Sequence, residues 1–297
     1  MEGLSRHQQL NINGYTIDLD KGGQGPPLLL LHGFPETKLG WQKISPLLTD
    51  RFTVIIPDLP GYGASTGPKP DDKDHNYSKR AVGNILIELM QQLGYKQFAL
   101  AGHDRGARVA YRMALDHPSV VTQLALLNII PTLELIERMD YDKAIKMENW
   151  LFLSQPAPFA ETMINSNPSY YLNYVLDSWS GKPELIDAST RKKYLEYFSK
   201  PEVIATICAE YRANEIDRIN DRDDHEATRR IHCPTLVLWS DLDFPRSESD
   251  SPNNVSPLEI WKNWAYTISG VGLPCGHFLM EELPEKVIEE FLHFFTD

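Results

Sequence analysis

Apolar positions in the first 130 residues gather into short unbroken runs. "PLLLLHGF" (27–34), "FTVIIPDLPG" (52–61) and "QFALAGHD" (97–104) are each bounded by turn residues. Continuous runs of this length predict strands buried on both faces of a largely parallel sheet. Between them the spacing turns helical over 78–93, and again over 105–115, before "VTQLALLNII" (121–130) predicts the next strand. Strand and helix in alternation predict an α/β fold wound by crossover helices.

From residue 131 to 229 the pattern changes to aromatic-rich, helix-leaning sequence such as "MENWLFLSQPAP" and "KYLEYFSKPEVIATICAEYRAN". Alternation resumes with "PTLVLWSD" (234–241) and "YTISGVGLPCGH" (266–277) and ends in the helical "PEKVIEEFLHFF". A stretch of that length is too long for a loop and predicts a helical cap inserted into the sheet domain. "SESDSPNNVSP" (247–257) is polar and turn-rich, and predicts a mobile surface loop.

Composition narrows the partners. The formal net charge of −12 over 297 residues argues against nucleic acid and anionic membranes, which require a basic surface. A small anionic substrate remains open, because a few arginines in a cleft act locally. Three cysteines (Cys208, Cys233 and Cys275) lie far apart, with no metal-type spacing, as expected of reduced thiols in a cytoplasmic protein. No run has the length of a leader peptide or a membrane span, and no metal or organic cofactor is called for.

The candidate chemistry centres on Gly102-His103-Asp104-Arg105-Gly106, between the third run and the second helix. In a strand–turn–helix nucleophile elbow, small residues stand two positions before and after the nucleophile, and here Asp104 occupies the position a hydrolase usually gives to serine. An aspartate at a helix start also serves as a cap. Three further stretches favour catalysis. His32-Gly33-Phe34 makes the backbone N–H of Phe34 one oxyanion donor, with that of Arg105 the other. "PDLPGYGAS" (57–65) is a glycine-rich turn after a strand, and the missing lysine excludes a phosphate loop. Gly276-His277-Phe278 follows the last strand, where the base falls in the order nucleophile, acid, histidine. Arg105 and Arg108, three apart at the start of one helix, are expected to converge on a substrate carboxylate.

These stretches, with "NWLFLSQPAP", "CAEYRAN", "SPLEIWKNWA" and "CGHFLMEE", resemble the haloacetate (fluoroacetate) dehalogenases of the α/β-hydrolase superfamily over nearly the whole chain. The resemblance implies a mostly parallel eight-stranded sheet flanked by helices, with a core of residues 1–130 and 230–297 and a cap of 131–229. It also implies two-step hydrolysis: Asp104 displaces halide from the α-carbon, and His277 activates the water that cleaves the resulting ester. A homodimer is a further implication.

The sequence departs from that family at two places. The family's acid after the sixth strand is replaced by Asn128, so Asp243 in "LWSDLD", or else Asp241, is expected to pair with His277. The family's halide pocket of histidine, tryptophan and tyrosine is matched by Trp150 and Tyr211, with Asn149 at the histidine position. The alternatives are an epoxide hydrolase using the same Asp104–His277 pair, and a non-catalytic binder of small acids.

Overall fold

The computed structural model describes residue 4, residues 6–244 and residues 255–296. Most of the polar stretch 247–257 lies outside the described residues.

Eight strands form one sheet: β1 (Arg6–Ile12), β2 (Tyr15–Gly22), β3 (Pro27–Leu31), β4 (Thr53–Pro57), β5 (Phe98–His103), β6 (Val121–Leu127), β7 (Thr235–Ser240) and β8 (Ile268–Leu273). Their spatial order is β1-β2-β4-β3-β5-β6-β7-β8. The β1–β2 and β2–β4 pairs are antiparallel, and every other pair is parallel. The apolar runs form strands as expected, but each strand stops short of its run. The trimmed ends, His32-Gly33-Phe34 after β3 and Asp104 after β5, hold candidate site residues.

Alternation within each strand explains why unbroken apolar runs were needed. Leu29, Leu31, Leu100, Leu124 and Leu126 join the core on one face of the sheet. Their neighbours Leu28, Leu30, Ala99, Ala101, Ala125 and Leu127 join the core on the other. Each large aliphatic side chain so buried contributes about 1.5–3 kcal/mol.

On the sheet faces lie α1 (Ser45–Leu48), α2 (Lys79–Gln92), α3 (Asp104–Asp116) and the last three helices. Between β6 and β7 come eight α-helices and no strand: α4 (Thr132–Glu137), α5 (Tyr141–Lys146), α6 (Glu148–Leu153), α7 (Phe159–Ser166), α8 (Pro168–Trp179), α9 (Ala188–Phe198), α10 (Pro201–Arg212) and α11 (Asn214–Glu226). The chain closes with α12 (Pro257–Trp261), α13 (Leu279–Glu282) and α14 (Pro284–Thr296).

Two features position the site. β3 lies between β4 and β5, so the chain direction across the sheet reverses at β3, and the loops leaving β3 and β5 meet at a topological switch point. Buried ion pairs then tie the inserted helices down. Arg112 of α3 contacts Asp221 at 2.9 Å and Asp224 at 2.5 Å on α11, and Lys79 of α2 contacts Glu210 of α10 at 2.8 Å.

No helix among the described residues is long and apolar enough to cross a membrane. The three cysteines are buried and free of disulfides, and burial pushes their thiols up to about 11 for Cys233 and about 12 for Cys208 and Cys275.

Candidate active site

The turn from β5 into α3 is possible only with glycine at two positions. A Cβ on Gly102 would lie 2.6 Å from the backbone of Gly106 and Ala107, and one on Gly106 would run into the carbonyl oxygens of Leu31 and His32. Between them Asp104 takes φ 43°, a left-handed conformation that costs a non-glycine residue on the order of 1–3 kcal/mol. That conformation turns its carboxylate toward the loop after β3, where the Phe34 N–H donates to Oδ2 at 3.1 Å. The expected oxyanion donor therefore already points at the Asp104 carboxylate. Burial alone would raise the pKa of Asp104, but His277, Arg105, His103 and Arg108 outweigh it and hold the carboxyl below its usual range.

His277 follows β8 and is fixed from both sides. Its N–H donates to Trp179 O at 2.8 Å, and its own carbonyl lies 2.8 Å from His103 Nε2. Its ring packs edge-on against Trp179, with centroids 4.8 Å apart. Nδ1 lies 3.0 Å from Asp243 Oδ2, while Nε2 is buried with no hydrogen-bond partner and lines the same cavity as Asp104. Burial acts to lower the pKa of His277, but the hydrogen bond and charge of Asp243, with Asp104 and Glu36, raise it.

Asp243, and not Asp241, is the carboxylate at the imidazole. Ser240 at the end of β7 builds its turn, accepting the backbone N–H groups of Leu242 at 3.1 Å and Asp243 at 3.0 Å while donating to Cys275 O at 2.7 Å. Asn128 stands beside the pair. Its Oδ1 accepts the Ser240 N–H at 2.8 Å, and its Nδ2 donates to Asp243 Oδ2 at 2.5 Å, also lying 2.8 Å from His277 Nδ1. With the Nδ1 proton directed at Asp243, Asn128 acts on the carboxylate and braces it.

The arginine pair does not converge as expected. Arg105 is fully buried, with Nε 3.2 Å from Glu210 Oε1 and its terminal nitrogens donating to Asn214 Oδ1 at 3.1 Å and Glu210 O at 3.0 Å. It is absent from the cavity wall. The acidic residue of α10 captures the guanidinium before any substrate could. Arg105 and Lys79 in turn hold the Glu210 carboxyl down at about 2, against the upward push of burial. Arg108 does line the cavity. Its Nη1 donates to Ile130 O and Thr132 Oγ1, both at 3.1 Å, its Nε is buried without a partner, and among the described residues no carboxylate pairs with it. Trp150 stacks on its guanidinium at 4.5 Å.

Asn149 and Trp150 also line the cavity, whereas Tyr211 lies behind them. Asn149 Nδ2 donates to Tyr211 Oη at 3.0 Å, which leaves the hydroxyl proton free to point elsewhere. Asp104 is close enough to Tyr211 to be the largest cause, after burial, of that phenol's raised pKa.

A family model for the alpha/beta hydrolase fold matches residues 26–282. The chain belongs to the alpha/beta hydrolases. Fluoroacetate dehalogenase of Burkholderia sp is 36% identical over 299 residues, covering 98% of this chain and 94% of that protein. Soluble epoxide hydrolase of Corynebacterium sp. (strain C12) is 29% identical, covering 98% and 97%. Among solved structures, a Nostoc sp PCC 7120 protein described as an alpha/beta hydrolase superposes with a TM-score of 0.93 at 42% identity, covering 98% of each chain. In an alpha/beta hydrolase the turn held by Asp104 is where the nucleophile stands.

Several residues of this alpha/beta hydrolase site escaped the sequence reading. Glu210 and Asn214 redirect Arg105, and a lone acid in the apolar "VIATICAEY" was the available signal. Ser240, which shapes the acid's turn, carried no signal beyond following a strand.

Proposed function

We propose that the protein is a hydrolytic dehalogenase of 2-haloacids, releasing halide and the 2-hydroxy acid. The observation that carries this reading is Arg108: a buried cation without a carboxylate partner, in one cavity with Asp104 and the unpartnered Nε2 of His277. Burying such a charge is costly, and an anionic substrate supplies the missing counter-ion.

With the substrate carboxylate on Arg108, the oxygen of Asp104 not held by Phe34 attacks C2 in line with the carbon–halogen bond. The C–O bond forms as the halide leaves with the bonding pair, and an aspartyl ester results. Asp104 is ionised without help, so this step needs no base. His277 Nε2 then takes a proton from water, and the hydroxide adds to Cγ of Asp104. Oδ2 takes the charge at the Phe34 N–H, with the N–H of Arg105 as the proposed second donor. Collapse breaks the Cγ–O bond and returns the proton to the leaving 2-hydroxy acid. Asp243 stabilises the imidazolium, and Asn128 holds Asp243 in place. Asn149 and Trp150 form the proposed halide side with Tyr211 behind them, and Arg105 anchors the cap and adds its charge.

The Tyr211 hydroxyl proton, left uncommitted by Asn149, favours a second reading, in which this tyrosine reaches past Asn149 to donate to an epoxide oxygen opened by the same aspartate. A neutral epoxide gives Arg108 no counter-ion, which ranks it second. The deciding experiment compares chloroacetate, fluoroacetate and styrene oxide with native protein and Asp104→Ala. Halide and glycolate release that vanishes in the variant supports the dehalogenase. Diol formation without halide release from any haloacid overturns it. A non-catalytic binder predicts neither product.

A further inference from the structure

We propose that the cavity is shaped for an acid bearing an apolar chain of several carbons on C2, so that a longer 2-haloalkanoate is a better substrate than a haloacetate. This deepens the dehalogenase reading and rests on it for the leaving group.

Size is the first observation. The cavity holding Asp104, Arg108 and His277 has a volume of about 470 Å³. That lies in the ~300–1,000 Å³ range of pockets that hold drug-sized ligands, far more than a two-carbon acid fills. A haloacetate seated on Arg108 would leave most of that volume to water.

The second observation is an apolar stretch of the lining, which the charged Arg138, Lys143, Lys146 and Glu148 complete elsewhere. Ile129 and Ile130 follow β6, and the Ile130 carbonyl is one of the two acceptors that hold Arg108 Nη1. An acid bound to Arg108 therefore begins beside these two isoleucines. Leu135 of α4 and Ile260 of α12 extend the same wall, and all four side chains are buried yet line the cavity. Trp179 and Phe244 line it as well. Water against such a wall gains few hydrogen bonds, whereas methylenes there leave water altogether.

The third is direction. In-line attack sets the halide opposite Asp104, and Arg108 sets the carboxylate, so two directions remain at C2. One takes the hydrogen and the other takes the chain along this wall.

Straight-chain acids are acetates extended at C2, so their binding tests the wall without chemistry. Calorimetry with acetate, butanoate, hexanoate and octanoate on the native protein is expected to show affinity rising roughly threefold to fourfold per added methylene until the cavity is full. In Leu135→Trp, and separately in Ile260→Trp, the series should flatten. Affinities that stay level from acetate to hexanoate in the native protein overturn the proposal. Turnover of 2-chlorobutanoate and 2-chlorohexanoate beside chloroacetate tests the reading beneath it. Rising acid affinity with no chloride released from any member keeps the chain-binding cavity and removes the dehalogenase.

Discussion

Asn128 donates its amide to Asp243 Oδ2 at 2.5 Å, the same oxygen that lies 3.0 Å from His277 Nδ1. A neutral amide and a carboxylate thus share the work at one imidazole. The carboxylate supplies the charge that an imidazolium needs, and the amide keeps it from swinging into the solvent to which Asp243 is partly open. Asp243→Asn is expected to slow hydrolysis of the ester by on the order of 10³–10⁴, the scale seen when a triad acid loses its charge. Ester formation needs no base, so that variant should accumulate the adduct, visible as a mass increase in the intact protein. Asn128→Ala removes the brace and the acceptor of the Ser240 N–H, leaves the charge of Asp243 in place, and should cost roughly tenfold. Because Asn128 Nδ2 lies 2.8 Å from His277 Nδ1, the exchange Asn128→Asp with Asp243→Asn should recover much of the lost turnover. An exchanged protein as slow as Asp243→Asn alone would show that position 128 cannot serve as the acid.

In the proposed mechanism the hydrogen bond from Phe34 to Oδ2 makes that oxygen of Asp104 the ester carbonyl and the other the attacking atom. In water enriched in the heavy oxygen isotope, one turnover with excess enzyme should therefore give unlabelled hydroxy acid and labelled Asp104. Later turnovers should pass that label to product. Labelled product from the first turnover would mean that water attacks C2 directly.

Most of the site's skeleton was legible in the sequence because it depends on backbone and chain order. The glycines at 102 and 106 announce a turn that admits no side chain, and β5 and α3 form around it. His277 was found by its place after the last strand, and Asp243 by the loop before it. What was not legible depends on long side chains with several candidate partners. Arg105 and Arg108 share a helix face, yet Glu210, more than 100 residues away, claims only the first, and spacing carries no information about that choice. The hairpin of β1 and β2 is a different kind of omission. Asn13 and Gly14 both take positive φ, at 50° and 86°, in an Asn-Gly turn flanked by alternating apolar residues. That local signal lies in alternating strands, which a search for unbroken apolar runs passes over.

Arg108 is held by two neutral acceptors and the face of Trp150 and by no paired carboxylate, so its burial is offset further when an anion binds. Arg108→Met should raise KM for chloroacetate roughly tenfold to a hundredfold, the worth of about one charge-assisted hydrogen bond. Acetate should raise the Tm of the native protein by preferential binding to the folded state and leave that of the variant unmoved. Equal acetate-dependent shifts in both proteins would place the carboxylate elsewhere.

Asn149 is buried at the cavity wall and commits one amide proton to Tyr211 Oη. An amide offers a leaving halide a neutral donor, whereas a protonated histidine offers charge as well. Fluoride depends on hydrogen bonding more than chloride does. Asn149→His is therefore expected to raise fluoroacetate turnover relative to chloroacetate, read as halide release from the two substrates in parallel. An unchanged ratio would remove Asn149 from the halide side.

The raised pKa of His277 sets activity and stability in opposition over one pH window. The imidazole must be neutral to take a proton from water, so kcat should fall as pH drops through the folded-state pKa, on an acid limb above the 6.5 of an ordinary histidine. The folded state binds that proton more tightly than the unfolded chain does. Its contribution to stability is fully present below about 6.5 and is lost as pH rises through the folded value. Activity should thus rise with pH over the interval in which this part of the stability disappears. Asp243→Asn removes the group that does most to raise the pKa, so it should move both transitions to lower pH together. Profiles of kcat and Tm against pH, measured for native protein and variant, check this directly. An acid limb that stays in place in Asp243→Asn would mean that another group controls it.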